Sequence, residues 1–140
     1  MAHRALIAGV SGIVGRHLAE HLLDTPGWEV VGLSRHAHDL PKCVQHIAAD
    51  LTDAAGVNTA LKGVNPSHVF ITTWLRQPTE AENVKVNGGM VANLLDALAD
   101  QRPRHVALVT GLKHYLGPFE AYAKAKPITP FREEQPRLPY

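Results

Sequence analysis

Apolar residues fall along this chain in short consecutive runs, separated by longer amphipathic stretches. The runs 5–8, 29–33, 44–48, 68–72 and 105–109 predict strands. Several are apolar at successive positions, as strands covered on both faces must be. Between them, Ile13–Leu23, 53–61 and 81–100 predict helices. In the last of these Val84, Val86, Met90, Val91, Leu94, Leu95 and Leu98 recur close to helical spacing, and Thr79 with Glu82 forms a capping-box signature ahead of it. Gly88-Gly89 interrupts this helix at a cost of about 1 kcal/mol each relative to alanine. Either the helix passes close to the sheet or a ligand there, or the pair is a surface weakness. Right-handed crossovers between such elements predict a doubly wound parallel α/β sheet of about five strands, ordered 3-2-1-4-5.

The first run passes directly into Gly9-Val10-Ser11-Gly12-Ile13-Val14-Gly15, which opens the first helix. In a Rossmann-type dinucleotide-binding half, the first glycine allows the tight turn and the second lets backbone approach a pyrophosphate. The third lets the helix pack closely on the strand. Phosphates then rest on N–H groups at the positive end of the helix dipole. Gly9, Ser11, Gly12, Ile13, Val14 and Gly15 are therefore candidate cofactor contacts. The second strand ends Gly32-Leu33-Ser34-Arg35-His36, without the acid that accepts from ribose hydroxyls in NAD sites. Ser34 and Arg35 suit a 2′-phosphate instead, which predicts a preference for NADPH over NADH. After the third strand, Asp50 either accepts from the adenine amine or N-caps the following helix, with Leu51 beside it. Thr72-Thr73-Trp74, at the end of the fourth strand, is expected along the ribose and phosphates. Trp74 reads either as a cofactor wall or as an exposed loop aromatic.

A length of 140 residues allows one domain with a real core. A net charge of +1 excludes a broad field for nucleic acid or an anionic membrane. The single cysteine, Cys43, rules out an internal disulfide framework and fits a reducing compartment. The N-terminal apolar run is too short to span a membrane and leads into a glycine turn rather than a cleavage site. A soluble, cytoplasmic protein is expected. Nine histidines raise the question of metal. His17 and His21 share a helix face and His36 and His38 lie close in sequence, but no third ligand is implied and no metal site is expected.

With these residues assembled, the chain resembles the extended short-chain dehydrogenase/reductase superfamily, and more narrowly the progesterone 5β-reductase/iridoid synthase-like family. The narrow likeness rests on Thr110-Gly111-Leu112-Lys113-His114-Tyr115-Leu116-Gly117-Pro118-Phe119-Glu120. Ser67-His68-Val69-Phe70 through Trp74, and Val86-Asn87 with Leu94-Leu95-Asp96-Ala97, support it. The resemblance implies NADPH-dependent reduction of activated carbon–carbon double bonds in small-molecule enones or enals. It also implies a catalytic Lys113 near the nicotinamide ribose, where an ammonium favours a tyrosinate. The family's tyrosine lies in an Asn-Phe-Tyr-Tyr-like segment, and this sequence stops just short of it at Arg137-Leu138-Pro139-Tyr140. The chain therefore reads as an NAD(P)-binding domain over 1–125. A proline-rich tail over 126–140 would lead to a missing C-terminal part that carries most of the substrate pocket.

Tyr122 and Lys126 match the wider superfamily's Tyr-x-x-x-Lys pair in spacing, but Pro127 and Pro130 argue against the helix it requires. Tyr140 follows a proline without a lysine partner. Two other functional readings stay open: an NAD-dependent epimerase or dehydratase acting on nucleotide sugars, and a non-catalytic nucleotide-sensing module. The oligomeric state is not fixed by sequence, a homodimer being one candidate.

Overall fold

The computed structural model describes residues 3–111, 113–117, 123 and 130–137. Five parallel strands, β1 (His3–Ala8), β2 (Trp28–Ser34), β3 (Gln45–Ala48), β4 (His68–Ile71) and β5 (His105–Leu108), form one sheet. Their order is β3-β2-β1-β4-β5, the doubly wound arrangement expected from the chain's rhythm. The helices are α1 (Ile13–Leu23), α2 (Ala54–Leu61), α3 (Glu80–Leu98) and the short α4 (Lys113–Leu116). A single 3-10 turn, Ala99–Gln101, extends α3. The chain divides into two compact units, Met1–Val109 and Thr110–Tyr140.

Central strands carry apolar residues on successive positions because each face of the sheet has its own cover. Leu6, Ala8, Val31, Leu33, Val69 and Ile71 form one core with Val57 and Leu61 of α2 and Met90, Leu94 and Leu98 of α3. The alternate positions Ala5, Ile7 and Val30 meet Ala19 and Leu22 of α1 on the other face. At this spacing a one-residue slip in β1 would exchange the two cores. Gly32 in β2 belongs to the same packing. A Cβ there would stand 2.7 Å from the buried Val10 side chain, so Val10 fills the place a larger residue would need.

The predicted elements hold, with shifts of one or two residues at several ends. Val44 and Thr72 lie just outside β3 and β4, and Asp53 is the N-cap of α2 rather than its first residue. Helix α3 does not bury every apolar position its sequence suggested: Val84 is 67% and Leu95 39% exposed. Its buried stripe runs through Asn83, Met90, Leu94 and Leu98 instead. The capping box forms as expected, Thr79 Oγ1 accepting from Glu82 N at 3.2 Å while Thr79 N donates to Glu82 Oε2 at 3.2 Å. Gly88 and Gly89 face open space: a Cβ on either would meet nothing within 4 Å, so close approach to the sheet is not their reason. Among the described residues no helix is long and apolar enough to cross a membrane.

Candidate functional site

A cleft of about 300 Å³ opens at the C-terminal ends of β1, β2, β3 and β4, where the strand order reverses direction between β1 and β4. Open α/β sheets place ligands at such a switch point. Its floor is the turn after β1. Gly9 has φ +88°, a left-handed conformation that side chains rarely tolerate, and a Cβ there would stand 2.9 Å from Thr72 Oγ1 and Thr73 Cγ2. Thr72 fastens the turn from β4 by donating its hydroxyl to Ala8 O at 2.8 Å. Gly15 is buried because α1 crosses directly over Gly9, and a Cβ on it would press into the Gly9 backbone. Gly12 has an ordinary φ of −81° and serves as the N-cap of α1 without a side-chain bond. No acid stands in the first turn of α1, so none of its side chains neutralises the positive end of the helix dipole. This is a cradle of backbone at the positive end of the α1 dipole.

The cleft brings together Gly9, Ser11, Gly12, Ser34, Arg35, Asp50, Leu51, Thr72, Thr73 and Trp74, all singled out in the sequence, with Leu33, Ala49, Leu75 and Met90. Ile13 and Val14 stand in the first turn of α1 with side chains 82% and 49% exposed and do not line it. Gly15 lies behind the turn.

Arg35 is exposed at the cleft beside Asp50. Asp50 is held below the ordinary aspartate value of 3.8, first by the backbone hydrogen bond from Thr52 and then by its hydroxyl, with Arg35 adding a favourable charge. Those two bonds measure 2.9 and 2.7 Å. The N-cap alternative for Asp50 is not realised, because Asp53 Oδ1 accepts from Gly56 N at 3.1 Å and caps α2 itself. Ser34 is buried, donates its hydroxyl to His36 O at 2.8 Å, and lies 2.9 Å from His46 Nε2. Trp74 combines both of its readings, lining the cleft while 63% exposed.

Two positioning residues escaped the sequence reading. Asn87 Oδ1 accepts from Leu75 N at 2.8 Å while its Nδ2 donates to Leu75 O at 2.9 Å. Asn83 Oδ1 accepts from Gln77 N at 2.7 Å. Together they pin the loop that carries Thr73 and Trp74. Two asparagines one helical turn apart within an otherwise apolar stripe were the available signal, since buried amides persist only where they find partners.

Lys113 opens α4 in the second unit, and its side chain lies outside the described residues, as do Tyr122, Lys126 and Tyr140. His17 Nδ1 pairs with Glu20 Oε2 at 3.2 Å on α1. Among the described residues no three potential ligands converge on a metal position.

The family model for the NAD dependent epimerase/dehydratase family matches residues 5–140. The chain is 45% identical over 145 residues to an (S)-8-oxocitronellyl enol synthase of Camptotheca acuminata, and 42% identical over 146 residues to a 3-oxo-Delta(4,5)-steroid 5-beta-reductase of Arabidopsis thaliana. Each alignment covers 96% of this chain and 37% of the relative, so the chain spans little more than a third of their length. These relatives bear out the narrower resemblance. In fold it is similar to the Bordetella bronchiseptica enzyme WbmG in complex with NAD, with a TM-score of 0.76 and 22% identity over 100% of this chain and 45% of that one. It also resembles the Thermus thermophilus UDP-glucose 4-epimerase complex with NAD, with a TM-score of 0.61 and 30% identity over 70% and 34% of the two chains. The chain thus belongs to the NAD dependent epimerase/dehydratase family and carries that family's Rossmann-type NAD(P)-binding fold.

Proposed function

We propose that this chain is the cofactor-binding part of an NADPH-dependent reductase acting on carbon–carbon double bonds conjugated to a carbonyl. The observation that carries the cofactor choice is the composition of the cleft at the end of β2. Among the residues that close β2, Arg35 lines the cleft and none is an acid, the neighbouring Asp50 coming from beyond β3, so a guanidinium can pair with a 2′-phosphate that NADH lacks. The substrate class is supported by the likeness to the enol synthase and the 5-beta-reductase.

In this reading the Gly9–Gly15 turn holds the pyrophosphate on backbone N–H groups at the start of α1. Asp50 and Leu51 bound the adenine end, and Thr73 and Trp74 bound the ribose side. Lys113 keeps its role from the resemblance, favouring the ionised form of the tyrosine that the resemblance implies. When bound, a reduced nicotinamide would supply the hydride. The small-molecule substrate would be an enone or enal, and a cytoplasmic setting and a homodimeric assembly accompany the reading.

Calorimetric titration with NADP+ and NAD+ tests the cofactor choice. Saturable binding that favours NADP+ is expected. Arg35→Ala should weaken NADP+ by about tenfold or more, the weight of a charged hydrogen bond, and weaken NAD+ less. A wild-type preference for NAD+ would turn the reading toward a nucleotide-sugar epimerase or dehydratase.

A further inference from the structure

We infer that His46 is a positioning residue for cofactor selection, acting through Ser34 on the turn that presents Arg35. This rests on the NADPH reading above. Ser34 has a single hydroxyl hydrogen, and its geometry directs that hydrogen to His36 O at 2.8 Å. The 2.9 Å contact between Ser34 Oγ and His46 Nε2 then requires the imidazole to be the donor, with its proton on Nε2. His46 stands opposite Gly32 in the β2–β3 pairing and Ser34 stands opposite Ala48, so the two share a face of the sheet across the strand pair.

Ser34 is buried, which favours these two bonds over water. Its carbonyl is also held, accepting from Ala49 N at 3.2 Å. Arg35 thus sits between two anchored points: Ser34 fixes its N-terminal side and, through the His36 carbonyl, its C-terminal side. A guanidinium on a flexible stem selects a 2′-phosphate well only when its backbone origin is fixed, because otherwise binding must first order the turn. The hydroxyl expected to touch phosphate is engaged within the protein. His46 keeps it there.

The test is the ratio of NAD+ to NADP+ dissociation constants, measured by calorimetry on the full chain. His46→Phe keeps ring volume and removes the donor, and should lower the ratio about fivefold, the weight of one buried hydrogen bond. His46→Gln places an amide donor at similar reach and should restore most of it, a rescue that a merely space-filling role would not give. If His46→Phe loses its helical circular dichroism, His46→Leu carries the same expectation. A wild-type ratio near one overturns the cofactor reading and this inference with it. A wild-type preference for NADP+ left intact in His46→Phe, or lost equally in His46→Gln, overturns this inference alone.

Discussion

At the scale of single residues, the glycine turn is where sequence and geometry are most tightly bound. Gly15 is constrained by space rather than by backbone conformation, since a Cβ on it would come within 2.8 Å of both Gly9 C and Thr72 Oγ1. Gly15→Ala should therefore cost about 1–3 kcal/mol of stability, as overpacking does, and urea denaturation measures it. A loss below a few tenths would mean that α1 can lift away from the turn. Asp50 makes a prediction about acid. Its carboxylate is stabilised in the folded state by the Thr52 hydrogen bonds and by Arg35, so its contribution is complete above the ordinary value of 3.8 and is lost as pH falls through the lower folded value. In Asp50→Asn the drop in melting temperature below about pH 4 should be shallower than in the parent chain. Superimposable profiles would show that Asp50 carries none of the acid sensitivity.

At the scale of elements, the sheet and α3 each use polar groups where the periodic pattern asks for apolar ones. Along the lower ends of four strands, Trp28, His3, His68 and His105 make a ladder of rings. Centroids are 4.8 Å apart for His3–Trp28, 5.2 Å for His3–His68 and 6.0 Å for His68–His105. Burial lowers the His68 value from 6.5, and His3, His105 and Arg104 push it further in the same direction. The folded state thus prefers neutral His68. Its stability is full above pH 6.5 and is lost as pH falls below that, because the unfolded chain takes up the proton first. His68→Phe keeps a ring in the ladder and removes the proton, so its melting temperature should vary less between about pH 7 and 5 than the parent's. Equal slopes would assign the effect to the neighbouring histidines. On α3, the buried Asn83 and the half-buried Asn87 hold the loop after β4, while Val84 lies on the solvent side. Periodicity counts apolar residues and is blind to a buried amide that has found its partners.

At the scale of the whole molecule, cofactor binding and folding are linked. The cleft is assembled from the ends of four strands and from α3, so a ligand that binds it holds together segments from Gly9 to Met90. Saturation with NADP+ at a hundred times its dissociation constant should add about 2.7 kcal/mol. The melting temperature should then rise by roughly 6–10 °C. Scanning fluorimetry with NADP+ and NAD+ in parallel reads both the linkage and the preference, and an absence of any shift with either would dissociate the cleft from nucleotide binding.

What the sequence determined by itself was the sheet, its strand order and the glycine turn. These follow from local rules: apolar runs flanked by amphipathic helices, a fixed crossover hand, and glycines exactly where a strand becomes a helix. Arg35, Asp50 and Trp74 were legible as candidates because strand ends in this topology converge on one place. Tertiary structure alone decided how those candidates are held. Thr72 fastens the Ala8–Gly9 backbone, Asn83 and Asn87 pin the Trp74 loop, and the Ser34 hydroxyl that the sequence offered to a phosphate is engaged by His36 O and His46. Apart from the Ser34–His36 bond, each of these is a hydrogen bond between residues on different elements, or on a helix and the loop that leads into it. Its partners are set by packing in three dimensions, and no period in the chain announces them.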